Sequence, residues 1–205
     1  MPENDRWPGE LERGLAAAAL QGEQHSGDRA VFVAWDSGAL AAAIDGLGHG
    51  ADAAVAAEEA AKVVTENARE APETLLQRCH EALVRTRGVV MTLAWFDLES
   101  HTLTWTGVGN VEGRLMRATA APGVAPESAL IKGGVVGYSL PSVRPTTTEL
   151  HSGDTLVMAT DGISSAFASS LVAGVDAQEL ADKLLAEHGR GTDDALVVVV
   201  RAKLG

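Results

Sequence analysis

Apolar residues along this chain change their spacing from segment to segment, and each change predicts an element. "AVFVAWD" (30–36) and "ALAAAID" (39–45) are short, nearly continuous apolar runs on either side of Ser37-Gly38, and they predict two strands joined by a turn. From about His49 to Arg69 the chain is alanine-rich with Glu and Lys, which predicts a helix whose small side chains allow close packing on a sheet. Pro72 opens a second helix through about Arg85, with Leu75, Leu76, Cys79, Leu83 and Val84 at helical spacing. The period then switches. "GVVMTLAWFDLES", "HTLTWTGVGN" and "VEGRLMRA" are rich in β-branched and aromatic residues with turn signals between them, and predict an antiparallel meander. Residues 119–145, rich in Gly and Pro, carry no clear period. Beyond them "DTLVMATD" predicts a strand, 163–170 a short helix, 176–188 a helix beginning near Asp176, and "DALVVVVRAK" a buried strand.

This order is not the regular alternation of a doubly wound fold. It predicts mixed α/β (α+β) structure with mainly antiparallel sheets. The 205 residues suit one well-cored domain, 1–205, with residues 1–10 expected to be a loosely attached N-terminal segment. No apolar run approaches the roughly 20 residues of a membrane helix. The charged start, "MPENDRWPGELERG", is not a signal peptide, so a soluble cytoplasmic protein is expected.

Charge narrows the partners. A formal net charge of −12 repels nucleic-acid backbones and anionic membranes, and suits cations or basic protein surfaces. Cys79 is the single cysteine, which excludes an intrachain disulfide and a cysteine zinc cluster, and its place in "LLQRCHEALVR" reads as a buried helical thiol.

Carboxylates recur at predicted strand ends. Asp28 precedes a strand in "HSGDRAVFVAW", Asp45 follows one in "AAAIDGLGHG", Asp161 ends another in "LVMATDGI", and Asp193-Asp194 begin the last. Acids from such distant segments can meet on one rim of a sheet, the all-oxygen setting that Mg²⁺ or Mn²⁺ prefers. Each alone also reads as a solvated turn. "SGD" occurs at both 26–28 and 152–154, so that tripeptide decides nothing. Trp35, Trp95 and Trp105 sit in apolar strand patterns and are expected in the core. Arg114 and Arg117 read as a solvated strand face, His49 as a helix-start position, and His25 as a further candidate to face the acids.

Taken in order, "SGDRAVF", "AAIDGLGHG", "RGVVMTLAWFD", "TLTWTGVGN", "LVMATDGI" and "GTDDALVVVV" resemble the metal-dependent protein phosphatases of the PPM family, and more closely their bacterial SpoIIE-type branch. The resemblance spans about residues 22–200. It implies a four-layer αββα sandwich with the metals at one end. It also implies side-chain ligands Asp28, Asp45, Asp161 and Asp193, with Asp194 as the alternative to Asp193, and a backbone carbonyl from Gly46. Those ligands would hold Mn²⁺ or Mg²⁺, two ions, which lower the pKa of a bridging water and offset phosphoryl charge. No arginine matches the phosphate-binding one of the eukaryotic branch. The implied reaction is dephosphorylation of Ser or Thr on a bacterial regulatory protein, with stressosome scaffold proteins as the expected partners. An anti-sigma-factor antagonist as substrate and a non-catalytic PPM-fold binding module are the alternatives.

Overall fold

A strand with apolar residues on both faces needs cover on both, and two strands of this chain are of that kind over most of their length. The computed structural model describes residues 7–23, 25–119 and 124–205. Its elements are β1 (Leu11–Ala18), β2 (Asp28–Trp35), β3 (Gly38–Gly46), α1 (Ala51–Glu66), α2 (Pro72–Leu83), β4 (Val89–Asp97), β5 (Thr102–Val108), β6 (Glu112–Met116), β7 (Glu127–Ser128), β8 (Ile131–Lys132), β9 (Thr146–Glu149), β10 (Thr155–Ala159), a 3₁₀ turn (Ser165–Ser169), α3 (Ala177–His188) and β11 (Ala195–Ala202). One sheet runs β1-β11-β10-β6-β7, and the other β2-β3-β4-β5-β8 with β9 also on β5. Every pairing is antiparallel except β5 with β8.

The two sheets stack face to face. In β11, Leu196, Val198 and Val200 enter the inter-sheet core with Phe96, Leu103, Trp105, Leu115 and Met158. The alternate residues Ala195, Val197 and Val199 pack instead with Leu180, Ala181 and Leu184 of α3 and Phe167 of the 3₁₀ turn. In β3, Ala39, Ala41 and Ala43 face the opposite sheet, while Leu40, Ala42 and Ile44 meet α1 and α2 through Ala56, Ala60, Val64, Leu75, Leu76 and Cys79. The period of two is thus hidden in both runs because each face is apolar. Alanines on α1 let the helix lie close on the sheet, and each fully buried Leu or Val adds about 1.5–3 kcal/mol. The result is the four-layer α/β sandwich the resemblance implied. The helical layer over β11 consists of α3 and the 3₁₀ turn rather than a pair of α-helices.

Several details differ from the sequence reading. β1 was not expected: only Leu11, Gly14 and Ala16 along it are buried, so its apolar pattern is sparse. It pairs with β11 from Leu11↔Ala202 to Ala18↔Ala195. A Cβ on Gly14 would lie 2.0 Å from the Ala177 carbonyl oxygen, so glycine there admits the start of α3. Of the expected loosely attached residues, 1–6 lie outside the described residues. Trp7 packs edge-on against Phe32 at 5.3 Å, with the Arg13 guanidinium over both rings. Only Trp105 of the three expected core tryptophans is fully buried. Trp35 and Trp95 are half-buried, Trp95 donating its indole N–H to the Ala68 carbonyl at 3.0 Å.

Arg117 is not on a solvated face. Its guanidinium donates to Asp154, Glu127, Thr148 and the Glu149 carbonyl, clamping the end of β6 to the β9–β10 turn. In the 119–145 segment, 120–123 lie outside the described residues. The remainder supplies β7, β8 and a tight turn in which Val135 and Ser139 exchange backbone hydrogen bonds.

Candidate metal centre

The two Asp-Gly pairs end adjacent layers at the same rim, and their glycines explain how. A Cβ on Gly46 would lie 2.2 Å from the Ala53 carbonyl oxygen, and one on Gly162 would lie 1.9 Å from the Asp194 carbonyl oxygen. Each strand therefore ends pressed on the backbone of another segment, which only glycine permits. Gly46 N–H also donates to the Gly27 carbonyl at 3.0 Å, bringing the segment before β2 to the end of β3.

Asp28 and Asp45 are directly opposed in the β2–β3 ladder. Asp28 is buried and accepts a 2.7 Å hydrogen bond from Thr160 Oγ1, which itself accepts from the Leu196 N–H at 2.9 Å. That chain of contacts ties the acid on one sheet to the other. Asp161 accepts from Asn110 Nδ2 at 2.8 Å. Asp193 Oδ1 accepts from the Asp194 N–H at 2.9 Å.

Burial, and then the neighbouring carboxylates, set the electrostatics. Burial pushes Asp45 up to about 8, helped by the negative charges of Asp28, Asp161, Asp193 and Asp194. Burial likewise raises Asp28 to about 7, against the Thr160 hydrogen bond and with help from Asp194, Asp161 and Asp193. Asp45, Asp161 and Asp193 line a cavity of about 300 Å³ together with Leu47, Gly48, Val90, Gly109, Asn110, Gly134 and Val135. None of those lining residues is basic. Negative charge collected in a partly dry site with no basic lining is what a hard divalent cation offsets, so the donor set fits Mg²⁺ or Mn²⁺. As placed, no three His, Cys, Asp or Glu side chains among the described residues are already closed around an ion position.

The adjacent acids of the last pair behave differently. Asp194 is spent on the backbone: Oδ1 accepts from Leu20 N–H at 2.8 Å and Oδ2 from Gly27 N–H at 2.6 Å, so it anchors the segment leading into β2. Asp193 lines the cavity. Asp154, in the second "SGD", belongs to another part of the molecule. It is buried and accepts from Arg117 Nη1 at 2.7 Å, Ala118 N–H at 3.0 Å and His151 N–H at 3.0 Å. It anchors the β9–β10 turn to the end of β6. His25 is exposed and does not line the cavity. His49 pairs with Glu23 at 2.8 Å just ahead of α1. Cys79 is fully buried in α2, where burial pushes its thiol up to about 12, unsuited to a thiolate nucleophile. Asn110, Thr160 and the second role of Asp194 were missed in the sequence. Only the polar residues of "VGN" and "ATDG", each beside a strand end, signalled the first two.

The profile of the Stage II sporulation protein E (SpoIIE) family matches residues 36–203. A curated relative, phosphoserine phosphatase RsbX of Bacillus subtilis, is 30% identical over 91 residues, 44% of this chain and 46% of that protein. The matched stretch therefore spans about half the length of that relative. A chain solved in work on the bacterial stressosome, described there as a modular system adapted to control secondary messenger signaling, superposes with a TM-score of 0.85. It is 28% identical, over 93% of this chain and 99% of that one. RsbX in complex with magnesium superposes with a TM-score of 0.86 at 21% identity, over 97% and 98% of the two chains, which speaks for the fold.

Proposed function

The chain belongs to the SpoIIE family, and from that premise we propose that it is a metal-dependent phosphoprotein phosphatase acting on phosphoserine or phosphothreonine of stressosome scaffold proteins. Asp28, Asp45, Asp161 and Asp193 are the side-chain ligands, with the Gly46 carbonyl as a backbone donor, for two ions of Mn²⁺ or Mg²⁺. When bound, such ions supply Lewis acidity, acidifying water and offsetting charge on phosphoryl oxygens.

The observation that carries this reading is the pair Asp28 and Asp45. Opposed across a ladder, both stand far above the usual carboxylate range through burial and through the other acids at the rim. Two carboxylates held so closely are poor company for each other, and a cation at that place relieves both. The chain's other groups keep them there. Thr160 orients Asp28, Asn110 orients Asp161, and Asp194 fixes the segment that delivers Asp28. Leu47, Val90 and Val135 give the cavity apolar walls, which limit water around the reacting group. No side-chain nucleophile is called for, in keeping with the buried, protonated Cys79.

The stressosome assignment draws on the names of the relatives. The test is Mn²⁺-dependent release of phosphate from a phosphorylated stressosome scaffold protein, with a phosphorylated anti-sigma-factor antagonist in parallel. Turnover of the scaffold protein that EDTA abolishes and Mn²⁺ restores is the expected result. Preference for the antagonist would move the substrate elsewhere, and full activity in metal-free protein would overturn the metal mechanism.

A further inference from the structure

The candidate centre is lined by acids and apolar groups, yet the substrate class proposed for it is a phosphate dianion. Arg87 stands beside a residue of that lining, Gly48. The segment before β4 is held there by the Leu47 N–H donating to the Gly88 carbonyl at 3.1 Å and by Thr86 Oγ1 accepting from Gly88 N–H at 3.0 Å. A Cβ on Gly88 would come within 2.7 Å of Val135 Cγ1, so the backbone itself abuts the cavity lining. Arg87 immediately precedes this fixed base in the chain. Its Nη1 stands 2.9 Å from where a Cβ on Gly48 would be, and Gly48 is a cavity residue with φ +85. Its Nη2 donates to Asp52 Oδ2, on the first turn of α1, at 2.9 Å.

We propose that Arg87 is a substrate-binding residue that contacts the phosphoryl oxygens of the phosphoester at the mouth of the acidic cavity, with Asp52 as its positioning partner. The inference rests on the phosphatase reading above. Guanidinium presents several N–H donors in a planar fork that suits phosphate. One edge is occupied by Asp52, and Nη1 stands beside Gly48 of the cavity lining. The ion pair is half exposed at the arginine and more so at the aspartate, so it orients the side chain without neutralising it strongly. Gly48 is what lets the guanidinium approach: a side chain there would stand in its place.

The experiment uses the full chain saturated with Mn²⁺, comparing Arg87→Ala and Arg87→Lys with the unaltered protein. Substrates are p-nitrophenyl phosphate and a phosphoserine peptide, with inorganic phosphate as competitive inhibitor and calorimetry for Mn²⁺ affinity. Arg87→Ala should raise KM for both substrates and the inhibition constant for phosphate by about tenfold, as loss of a charged hydrogen bond implies. Mn²⁺ affinity should be unchanged, and Arg87→Lys should recover part of the loss. Unchanged KM and phosphate inhibition in Arg87→Ala would overturn the proposal. So would a loss confined to the peptide, which would mean contact with flanking residues, or an equal loss of Mn²⁺ affinity. Should the unaltered protein hydrolyse neither substrate, the phosphatase reading fails. Calorimetric binding of inorganic phosphate to the Mn²⁺-loaded protein, with and without Arg87, then decides this assignment separately.

Discussion

Asp28 and Asp45 are cross-strand partners, each the terminal residue or its neighbour on strands joined by a tight turn at the far end. The ladder alone brings them together, before any longer-range contact forms. Like charges opposed in this way destabilise a sheet unless something compensates.

The metal-free protein should therefore lose stability as pH rises. Asp28 and Asp45 titrate near 7 and 8 in the folded state against 3.8 as ordinary aspartates. Between about pH 4 and pH 8 the folded protein binds more protons than the unfolded chain, so unfolding free energy falls with pH across that window. Their contribution is complete below pH 4 and gone once pH passes the folded values. Thermal unfolding in EDTA should show a midpoint that drops from pH 5 to pH 8, and Asp45→Asn should flatten the slope. A midpoint that is the same at both pH values in the unaltered protein, with no effect of Asp45→Asn, would contradict raised acids at Asp28 and Asp45.

Asp45→Asn and Asp161→Asn should each weaken Mn²⁺ binding and lower turnover by about 10² or more, the scale of a principal electrostatic contribution. Circular dichroism should remain native. Native-like Mn²⁺ affinity by calorimetry in both variants would remove these carboxylates from the centre.

Asp154→Asn should do the reverse. Its carboxylate is buried against Arg117 and accepts from two backbone N–H groups. Breaking a buried pair by neutralising one side costs about 3–5 kcal/mol. Denaturant unfolding should register that loss, while Mn²⁺ affinity of the folded fraction stays unaltered. An Asp154→Asn protein as stable as the parent would mean the Arg117 cluster is dispensable.

Gly162→Ala places a methyl 1.9 Å from the Asp194 carbonyl oxygen. Backbone cannot yield as a flexible side chain can, so the end of β10 and the start of β11 must part. Overpacking of this kind costs about 1–3 kcal/mol, and here it should also displace Asp161 and Asp193. Loss of both stability and Mn²⁺ affinity is expected. Gly133→Ala, whose Cβ would meet nothing within 4 Å, serves as the control.

Much of this was legible in the sequence because the acids sit where periodic apolar runs stop. Runs such as 39–45 and 195–200 announce strands, and a carboxylate at their ends must lie on a rim. What each glycine answers was not legible. Gly46 reads as a turn residue, and only the packed chain shows the Ala53 carbonyl against it. Asp193 and Asp194 look interchangeable in sequence, and the difference lies in the N–H groups of Leu20 and Gly27, which are distant along the chain. β1 escaped notice because an edge strand with few buried positions needs little apolar periodicity. Arg117 escaped for the opposite reason: alternation along β6 says which face it takes, not that Asp154 waits there.

β11 follows every other strand in chain order, yet it lies between β1 and β10. Leu11 must therefore wait for Ala202 before its ladder can close. Such distant pairing slows folding, because loop closure precedes any reward from contact. During synthesis the β2–β5 sheet and its helices are complete well before β11 emerges, leaving Asp28 and Asp45 paired but without Asp193, Asp194 or the Leu196 N–H that holds Thr160. The acidic rim is thus assembled last, by the strand that also closes the other sheet, and a partly made chain carries only half of it.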